Sequence, residues 1–463
     1  MKFYDRKEEM DALRKALMLS KSRLVLVTLT GRRRIGKTRL VREFISSRRL
    51  RYLDFFFSVK SERLLLDDFS REIELKLGYS PKFKNFQDFL RYIERINVDA
   101  VFFDEFQNVL RINPSMASDL QAFIDRNSDL PLLLIISGSY LGMMKRLFAQ
   151  RKALLYGRST LFMELSPLRP SAVFQMLSDL GVEDPHEKIV FYGLFGGVPK
   201  YYELLELFGP KPPLGLIADA VRYSSFITSE GEGLLLDEFG KAYKTYYSIL
   251  KAISIGRNRL VEIANAVGMK PGSISKYLDA LENYYGLISR EKPVLNGKRS
   301  RYVIKDYFLN FWFSMMEPWK AAIDSSDYGP FFRSLEVDFP GYFGRVFERV
   351  VSDILRDLNG KLLTFDLIGP QWGRNYEIDL VAVNTKRKEA TFIEAKWKDN
   401  VDGPREIGRL IAKSQNVPWN GKRKYLLIAK GFRVDCKDCL TAEELVSLLE
   451  SLKYLANDIQ TEI

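Results

Sequence analysis

Apolar runs and amphipathic stretches alternate along residues 1–170. Short continuous apolar runs are typical of buried strands, whereas an apolar period of about 3.6 residues is typical of helices. The alternation predicts an α/β fold with a parallel sheet. The predicted strands are Leu24–Thr30, Tyr52–Val59, Ala100–Asp104, Leu132–Ser137 and Thr160–Leu165.

The pattern changes after this region. Residues 171–235 have a helical period with a break at Gly196-Gly197, and residues 236–325 predict helices followed by a short basic hairpin. Residues 335–463 predict a helix, three strands, a helix, a strand and a helix, with the first of the three strands at Leu362–Ile368. With 1–170, this gives four segments with boundaries at these positions.

Composition narrows the protein class. The 463 residues are 46% hydrophobic, which excludes a largely disordered chain. No apolar run approaches the ~18 residues that span a bilayer, and the first residues are unlike a secretory signal. We therefore expect a cytoplasmic protein without a membrane partner. One histidine argues against a Ser-His or Cys-His catalyst, and two cysteines exclude a disulfide scaffold.

The net charge of +12 is concentrated near the start of the chain. Residues 1–50 carry 15 Lys and Arg against 5 Asp and Glu. Such a block attracts polyanions, either nucleotide phosphate or nucleic acid, although it could equally be a solvated basic face.

The residues after Thr30 match the phosphate-loop pattern G-x-x-x-x-G-K-[ST] in full, between a predicted strand and a predicted helix. The glycines let backbone N–H groups wrap phosphate at a helix N-terminus. Lys37 should reach the β- and γ-phosphates of ATP, and the Thr38 hydroxyl should hold Mg²⁺. The predicted nucleotide-binding residues are Gly31, Arg32, Arg33, Arg34, Ile35, Gly36, Lys37 and Thr38.

Two carboxylates end the predicted strand at Ala100–Asp104. Asp104 suits the Mg²⁺ shell, and Glu105 suits orienting or deprotonating the attacking water. Beside the phosphate loop, this pair predicts the second half of an ATPase site.

Further motifs follow in the order seen in AAA+/STAND-type P-loop ATPases: Asp104-Glu105, Leu134–Ser139, Tyr156–Arg158 and Gly196–Tyr201. The chain resembles the archaeal ATPase family in particular. The resemblance implies that Ser137 or Ser139 occupies the sensor position at the end of the fourth strand. It also implies that Arg158 senses the γ-phosphate, in cis or across a subunit boundary of a homo-oligomer, and that Pro199 lies in the lid turn near the base. An ordinary surface arginine is the alternative for Arg158.

The segment 236–325 predicts a helix–turn–helix, with Gly268 in the turn and Ser273 capping the second helix. A hairpin through Asn296-Gly297 follows, with Lys298, Arg299 and Arg301 at its tip. This arrangement resembles a winged helix, which implies duplex DNA as a partner, with the wing on phosphate. A structural or protein-contact role is the alternative.

The last segment carries a second set of acids. Asp379 lies in one predicted strand, and Glu394 and Lys396 project from one face of the next. Two carboxylates without histidine suit Mg²⁺ or Mn²⁺, and Lys396 would position or deprotonate water. The order of elements resembles the PD-(D/E)xK nuclease fold, which implies that Glu348 is an additional, helix-borne catalytic acid.

Cys436 and Cys439 form an isolated CxxC, which we interpret as a local disulfide or two packed thiols rather than a metal or redox site. The predicted fold is therefore α/β: a P-loop NTPase sheet (1–170), a helical lid (171–235), a winged-helix domain (236–325) and a C-terminal restriction-endonuclease-like domain (335–463). The predicted function is Mg²⁺-dependent ATP hydrolysis coupled to DNA binding and metal-dependent DNA cleavage. The alternative is a signalling ATPase that binds a partner protein or DNA without cutting.

Overall fold

The computed structural model describes residues 1–151, 153–295, 297 and 299–458. The chain divides into two compact units. One unit is Asp5–Pro167, here called the N-terminal unit. The other contains Met1–Tyr4 together with the chain from Leu168 onward, and is here called the C-terminal unit.

The N-terminal unit alternates helices and strands, as the apolar pattern predicts. Its elements are α1 Lys7–Leu19, β1 Leu24–Thr30, α2 Lys37–Arg48, β2 Tyr52–Phe56, α3 Glu62–Leu77, α4 Phe86–Arg95, β3 Ala100–Asp104, α5 Val109–Ile112, α6 Ser115–Arg126, β4 Leu132–Gly138, α7 Leu141–Met144 and β5 Leu161–Glu164.

The described strands of this unit form one parallel sheet in the order β2-β3-β4-β1-β5. Strands β3 and β4 are buried along their whole length, which explains their uninterrupted apolar sequence. Strand β2 ends at Phe56 rather than at the predicted Val59, because its partner β3 ends opposite it at Asp104. The parallel order places the carboxyl ends of β1, β3 and β4 at one edge of the sheet.

The C-terminal unit is helical at first and then forms a mixed sheet. Its elements are α8 Pro170–Asp179, α9 Pro185–Phe195, α10 Pro199–Phe208, α11 Pro213–Tyr223, α12 Ser225–Phe239, α13 Tyr243–Ser254, α14 Leu260–Val267, α15 Pro271–Asp279, β6 Ile288–Glu291, β7 Arg301–Ile304, α16 Tyr307–Phe311, α17 Lys320–Asp324, α18 Gly329–Val337, α19 Phe339–Asp357, β8 Leu367–Trp372, β9 Glu377–Asn384, β10 Glu389–Lys396, β11 Val401–Asp402, α20 Gly403–Gln415, β12 Lys422–Ala429, β13 Phe432–Val434, β14 Cys439–Thr441 and α21 Ala442–Asp458.

The main sheet of this unit has the order β14-β12-β10-β9-β8, with β8, β9 and β10 antiparallel and β10, β12 and β14 parallel. Helix α19 packs against this sheet, and one apolar cluster extends from Leu168 to Leu449. The predicted combination of a parallel α/β sheet and a separate C-terminal sheet is therefore confirmed.

Two local predictions are wrong. The first strand of the C-terminal sheet is Leu367–Trp372 rather than Leu362–Ile368. The Asn359 side chain bonds both the N–H and the C=O of Phe365, at 3.1 and 3.0 Å, and so holds this apolar run in a turn. Ser273 does not cap α15, because that helix begins two residues earlier at Pro271, a residue suited to the first helical position.

Candidate functional site

The predicted phosphate loop connects β1 to α2 through a tight turn. Gly31 has φ +150°, and a Cβ atom there would lie 2.8 Å from the Leu165 carbonyl oxygen. Gly36, at φ +99°, is the N-cap of α2. The first backbone N–H groups of α2 have no partner within the helix, so the loop presents donors and a positive helix end to an anion.

Lys37, the first residue of α2, is buried, with 4% of its surface exposed. Its Nζ donates to the carbonyl oxygens of Gly31 and Arg32, at 2.9 and 3.0 Å, and to the Ser139 Oγ at 2.9 Å. The ammonium group is thus held between the loop and the end of β4.

Thr38 and Asp104 come together at the edge of the sheet. The Thr38 Oγ1 donates to Asp104 Oδ2 at 2.7 Å, and the Ser137 hydroxyl donates to Asp104 Oδ1. Hydroxyl and carboxylate oxygens at this spacing are ligands that Mg²⁺ accepts. These residues therefore fit the metal that accompanies a nucleotide.

Glu105 has a left-handed backbone, with φ +56°. Its two carboxylate oxygens accept hydrogen bonds from the Ser139 hydroxyl and from Gln107 Nε2, the latter at 2.5 Å. Ser139 therefore connects Lys37 to Glu105. Sequence reasoning missed Gln107, which is fully buried; its position two residues after Glu105 in a short turn is the signal that could have found it.

Two residues predicted from the family resemblance, Arg158 and Pro199, lie outside the phosphate loop, and Arg6 contacts the loop. Arg158 forms two hydrogen bonds of 2.8 Å with Asp125 near the end of α6. Pro199 is the first residue of α10 in the C-terminal unit. Arg6, near the start of the chain, donates to the Ile35 carbonyl of the phosphate loop at 3.3 Å.

The acids of the C-terminal sheet meet where two strands separate. The last residue pair between β9 and β10 is Leu380 with Ile393. Asp379 and Glu394 are the next residues along the two strands, beyond the end of the pairing. Beyond that point the Asp379 carboxylate, rather than a backbone carbonyl, accepts the Ala395 N–H at 2.9 Å.

Two lysines neutralise Glu394, whose side chain is 5% exposed. Lys396 and Lys413 donate to its Oε1 at 2.6 and 2.9 Å, and Lys396 Nζ lies 3.9 Å from Asp379 Oδ2. Sequence reasoning missed Lys413 on α20. The buried Glu394 Oε2 has no hydrogen-bond partner among the described residues.

Burial and mutual repulsion raise the pKa values of Glu348 and Asp379. Burial, followed by the charge of Asp379, raises the pKa of Glu348 to about 8. Burial, followed by the charge of Glu394, raises the pKa of Asp379 to about 6. Such crowding of carboxylates is what a bound divalent cation would relieve.

The donor set fits a hard cation by chemistry, since it consists of carboxylate oxygens, one of them buried without a partner among the described residues. The spacing, however, is not that of a formed site. Within the described chain, no group of three or more Asp, Glu, His or Cys side chains is arranged to hold a metal ion.

The predicted helix–turn–helix and hairpin appear as α14, α15, β6 and β7, with Gly268 at φ +71° in the turn. Arg299 is exposed, whereas Arg301 forms an ion pair with Glu377. Asn296 and Lys298 lie outside the described residues.

Two further predictions concern the cysteine pair and membrane-spanning helices. Cys436 and Cys439 are joined by a disulfide. No helix in the described residues is long and apolar enough to cross a bilayer.

Comparison with known proteins gives matches over most of the chain. A model of an ATPase domain found predominantly in Archaea matches residues 3–205, and a model described as archaeal and bacterial proteins of unknown function matches residues 312–407. An uncharacterised protein of Methanocaldococcus jannaschii is 32% identical over 454 residues, covering 95% of this chain and 98% of that protein.

Among solved structures, a Walker-type ATPase of Pyrococcus abyssi is similar with a TM-score of 0.50 and 19% identity. The similarity covers 67% of this chain and 96% of that structure, and it supports the fold.

Proposed function

The chain belongs to the predominantly archaeal ATPase family, and we propose that it couples Mg²⁺-dependent ATP hydrolysis in the N-terminal unit to DNA binding and cleavage by the C-terminal unit. The observation that carries the ATPase mechanism is the linked set of Lys37, Ser139 and Glu105 beside the Thr38–Asp104 pair. It joins a phosphate-binding cation, a metal-binding oxygen pair and a carboxylate base at one sheet edge.

The phosphate loop binds the nucleotide through its backbone N–H groups, and Lys37 compensates the charge of the β- and γ-phosphates. Thr38 and Asp104 would hold Mg²⁺, which supplies charge neutralisation when bound, and Ser137 orients Asp104. Glu105 orients water and accepts its proton as the water oxygen bonds to the γ-phosphorus and the bond to ADP breaks. The other roles are those that the family resemblance implies. The remaining loop residues contact the nucleotide, Arg158 senses the γ-phosphate, and Pro199 lies in the lid turn near the base.

The C-terminal part of the proposal rests on the acid–lysine cluster. Asp379 and Glu394 would hold Mg²⁺ or Mn²⁺, with Glu348 as the helix-borne acid. Lys396 would position the water whose oxygen bonds to the phosphorus of a DNA phosphodiester as one phosphorus–oxygen ester bond breaks, and it would stabilise the charge that develops on the phosphate. Buried carboxylates with raised pKa values support a functional role for this cluster, since such perturbation is concentrated at functional sites.

We assign residues 171–235 to a helical lid and residues 236–325 to a winged helix, with α15 as the helix that faces DNA. The exposed Lys276 on that helix supports this assignment, although one cation is a weak phosphate surface. Formation of a homo-oligomer, with Arg158 across a subunit boundary, is part of the same proposal.

A signalling ATPase is the second candidate, and two observations favour it. Lys396 and Lys413 both bond Glu394 where a metal would bind, and Arg301 is engaged with Glu377 instead of facing solvent as a wing arginine would. In that case the C-terminal unit binds a partner without cutting DNA.

Two variants test the ATPase mechanism. Lys37→Ala should abolish ATP binding in calorimetry, because the phosphates lose the buried ammonium group. Glu105→Gln should retain ATP but stop phosphate release. Lys82→Ala and Glu94→Gln, both at exposed positions, are the matched controls. Normal turnover in Glu105→Gln would remove Glu105 from the mechanism.

The DNA proposal is tested with a panel of linear, junction and single-stranded DNAs, with Mg²⁺ or Mn²⁺, with and without ATP. Cleavage that disappears in Asp379→Asn and persists in Asp327→Asn, an exposed control, supports the nuclease. Binding without cleavage of any substrate would leave the signalling candidate as the better description.

A further inference from the structure

The loop of the β6–β7 hairpin is bonded to the edge strand β8 of the C-terminal sheet. Strand β8 is the last strand in the sheet order. The Val294 N–H donates to the Pro370 carbonyl at 3.1 Å, and the Leu295 N–H donates to Gln371 Oε1 at 2.8 Å. Leu295, 9% exposed, belongs to an apolar cluster with residues of β9 and β10. The loop thus covers an edge that would otherwise present unpaired backbone groups.

Arg301, at the start of β7, fixes the hairpin to two strands together. It forms an ion pair with Glu377, and its guanidinium carbon lies 4.3 Å from the centre of the Trp372 ring. Trp372 and Glu377 are direct register partners of β8 and β9. The planar guanidinium therefore stacks on one strand and pairs with the other, an arrangement that lysine cannot reproduce.

Arg349 attaches the other end of the hairpin to α19. Its guanidinium donates to the Ile304 carbonyl at 2.7 Å and to the Lys305 carbonyl, and it lies 4.0 Å from the centre of the Tyr307 ring. Arg349 directly follows Glu348 in the chain, just as Glu377 precedes Asp379 by two residues. The hairpin is thus bonded beside the acid of α19 and beside the acid of β9.

We propose that the β6–β7 hairpin is a clamp that fixes the spacing between α19, which carries Glu348, and β9, which carries Asp379. In this role Arg301 and Arg349 are positioning residues of the candidate metal site rather than DNA-phosphate contacts. The positioning of a metal site rests on the proposed function, whereas the docking of the hairpin does not. The physical reason is that ligand oxygens must be held to within ~0.5 Å for a hard cation to bind, and such precision needs support from neighbouring elements.

Docking of the hairpin is tested first, without metal. In Arg301→Ala, amide exchange at Val294 and Leu295 should accelerate at least ~tenfold, because both N–H groups bond across the clamped interface. Arg299→Ala, an exposed neighbour in the same hairpin, should leave both rates unchanged. Equal exchange rates in wild type and Arg301→Ala would overturn the clamp.

The role of Arg301 in positioning the acids is tested by measuring Mn²⁺ binding to the full chain without nucleotide. Binding is detected by electron paramagnetic resonance. The C-terminal site is the Mn²⁺ signal that Asp379→Asn removes. Arg301→Glu should weaken this site about tenfold, and the charge exchange Arg301→Glu with Glu377→Arg should restore most of the affinity. Arg301→Lys, which keeps the charge but loses the stacking, should have an intermediate affinity.

The outcomes separate the two proposals. Unchanged Mn²⁺ affinity in Arg301→Glu, at a site that Asp379→Asn removes, would overturn the positioning role. Absence of any such site in the wild-type chain would overturn the metal part of the proposed function, and with it the assignment of Arg301 as a positioning residue. Accelerated amide exchange in Arg301→Ala would still support the clamp in that case.

Discussion

Replacement of Glu348 by Gln should make the C-terminal unit more stable at alkaline pH in the presence of EDTA. Burial and the charge of Asp379 raise the pKa of Glu348 from its usual 4.5 to about 8. The folded state therefore binds this proton more tightly than the unfolded state does. The contribution of Glu348 to stability is fully present below pH ~4.5 and is lost as the pH rises toward ~8. The glutamine side chain has no ionisable proton, so the variant should lack this loss.

The size of the effect follows from the two pKa values. At about 1.4 kcal/mol per pH unit, the interval from 4.5 to about 8 corresponds to an upper limit of ~5 kcal/mol. Solvent reaches part of the side chain and screens its charge, so we expect about 2–3 kcal/mol at pH 9. The difference between variant and wild type should be near zero at pH 4.5, should grow up to about pH 8 and should stay constant above that pH.

The assay is urea unfolding of both proteins at a series of pH values, with the transition of the C-terminal unit followed by tryptophan fluorescence. Glu336→Gln, at an exposed position on α18, is the matched control and should give a difference that does not change with pH. Parallel stability curves for Glu348→Gln and wild type would show that Glu348 is not crowded by Asp379, and would refute the electrostatic argument for the acid cluster.

Three further predictions follow from the described contacts. Gln107→Ala should lower kcat for ATP with little change in KM, because Glu105 loses a donor at 2.5 Å; an equal change in KM would contradict a positioning role. Lys396→Ala should retain Mn²⁺ binding yet lose DNA cleavage, and cleavage at the wild-type rate would exclude the lysine from the chemistry. If the exposed Arg299 contacts one DNA phosphate, Arg299→Ala should reduce the slope of log K against log salt concentration by ~0.9.

Much of the N-terminal unit could be predicted because its signals are local in the chain. The phosphate loop is contiguous, and glycine is required where the backbone turns at Gly31 and Gly36. Strand β3 ends at Asp104 as predicted, because a continuous apolar run stops at a charged residue. The parallel order of the sheet then brings Asp104 and Ser137 to the loop, which general rules for α/β folds anticipate.

The C-terminal unit was less predictable because its decisive contacts join residues far apart in sequence. Lys413 reaches Glu394 only because α20 packs on the sheet, and Arg301 reaches Glu377 across 76 residues. An apolar run does not specify which of its residues will pair in a strand. Because Asn359 holds the preceding residues in a turn, β8 begins later in the chain than predicted. Periodicity and motifs report the preferences of neighbouring residues. The partners of a buried charge are chosen by the packing of whole elements, since a charge removed from water must find compensation wherever the folded chain provides it.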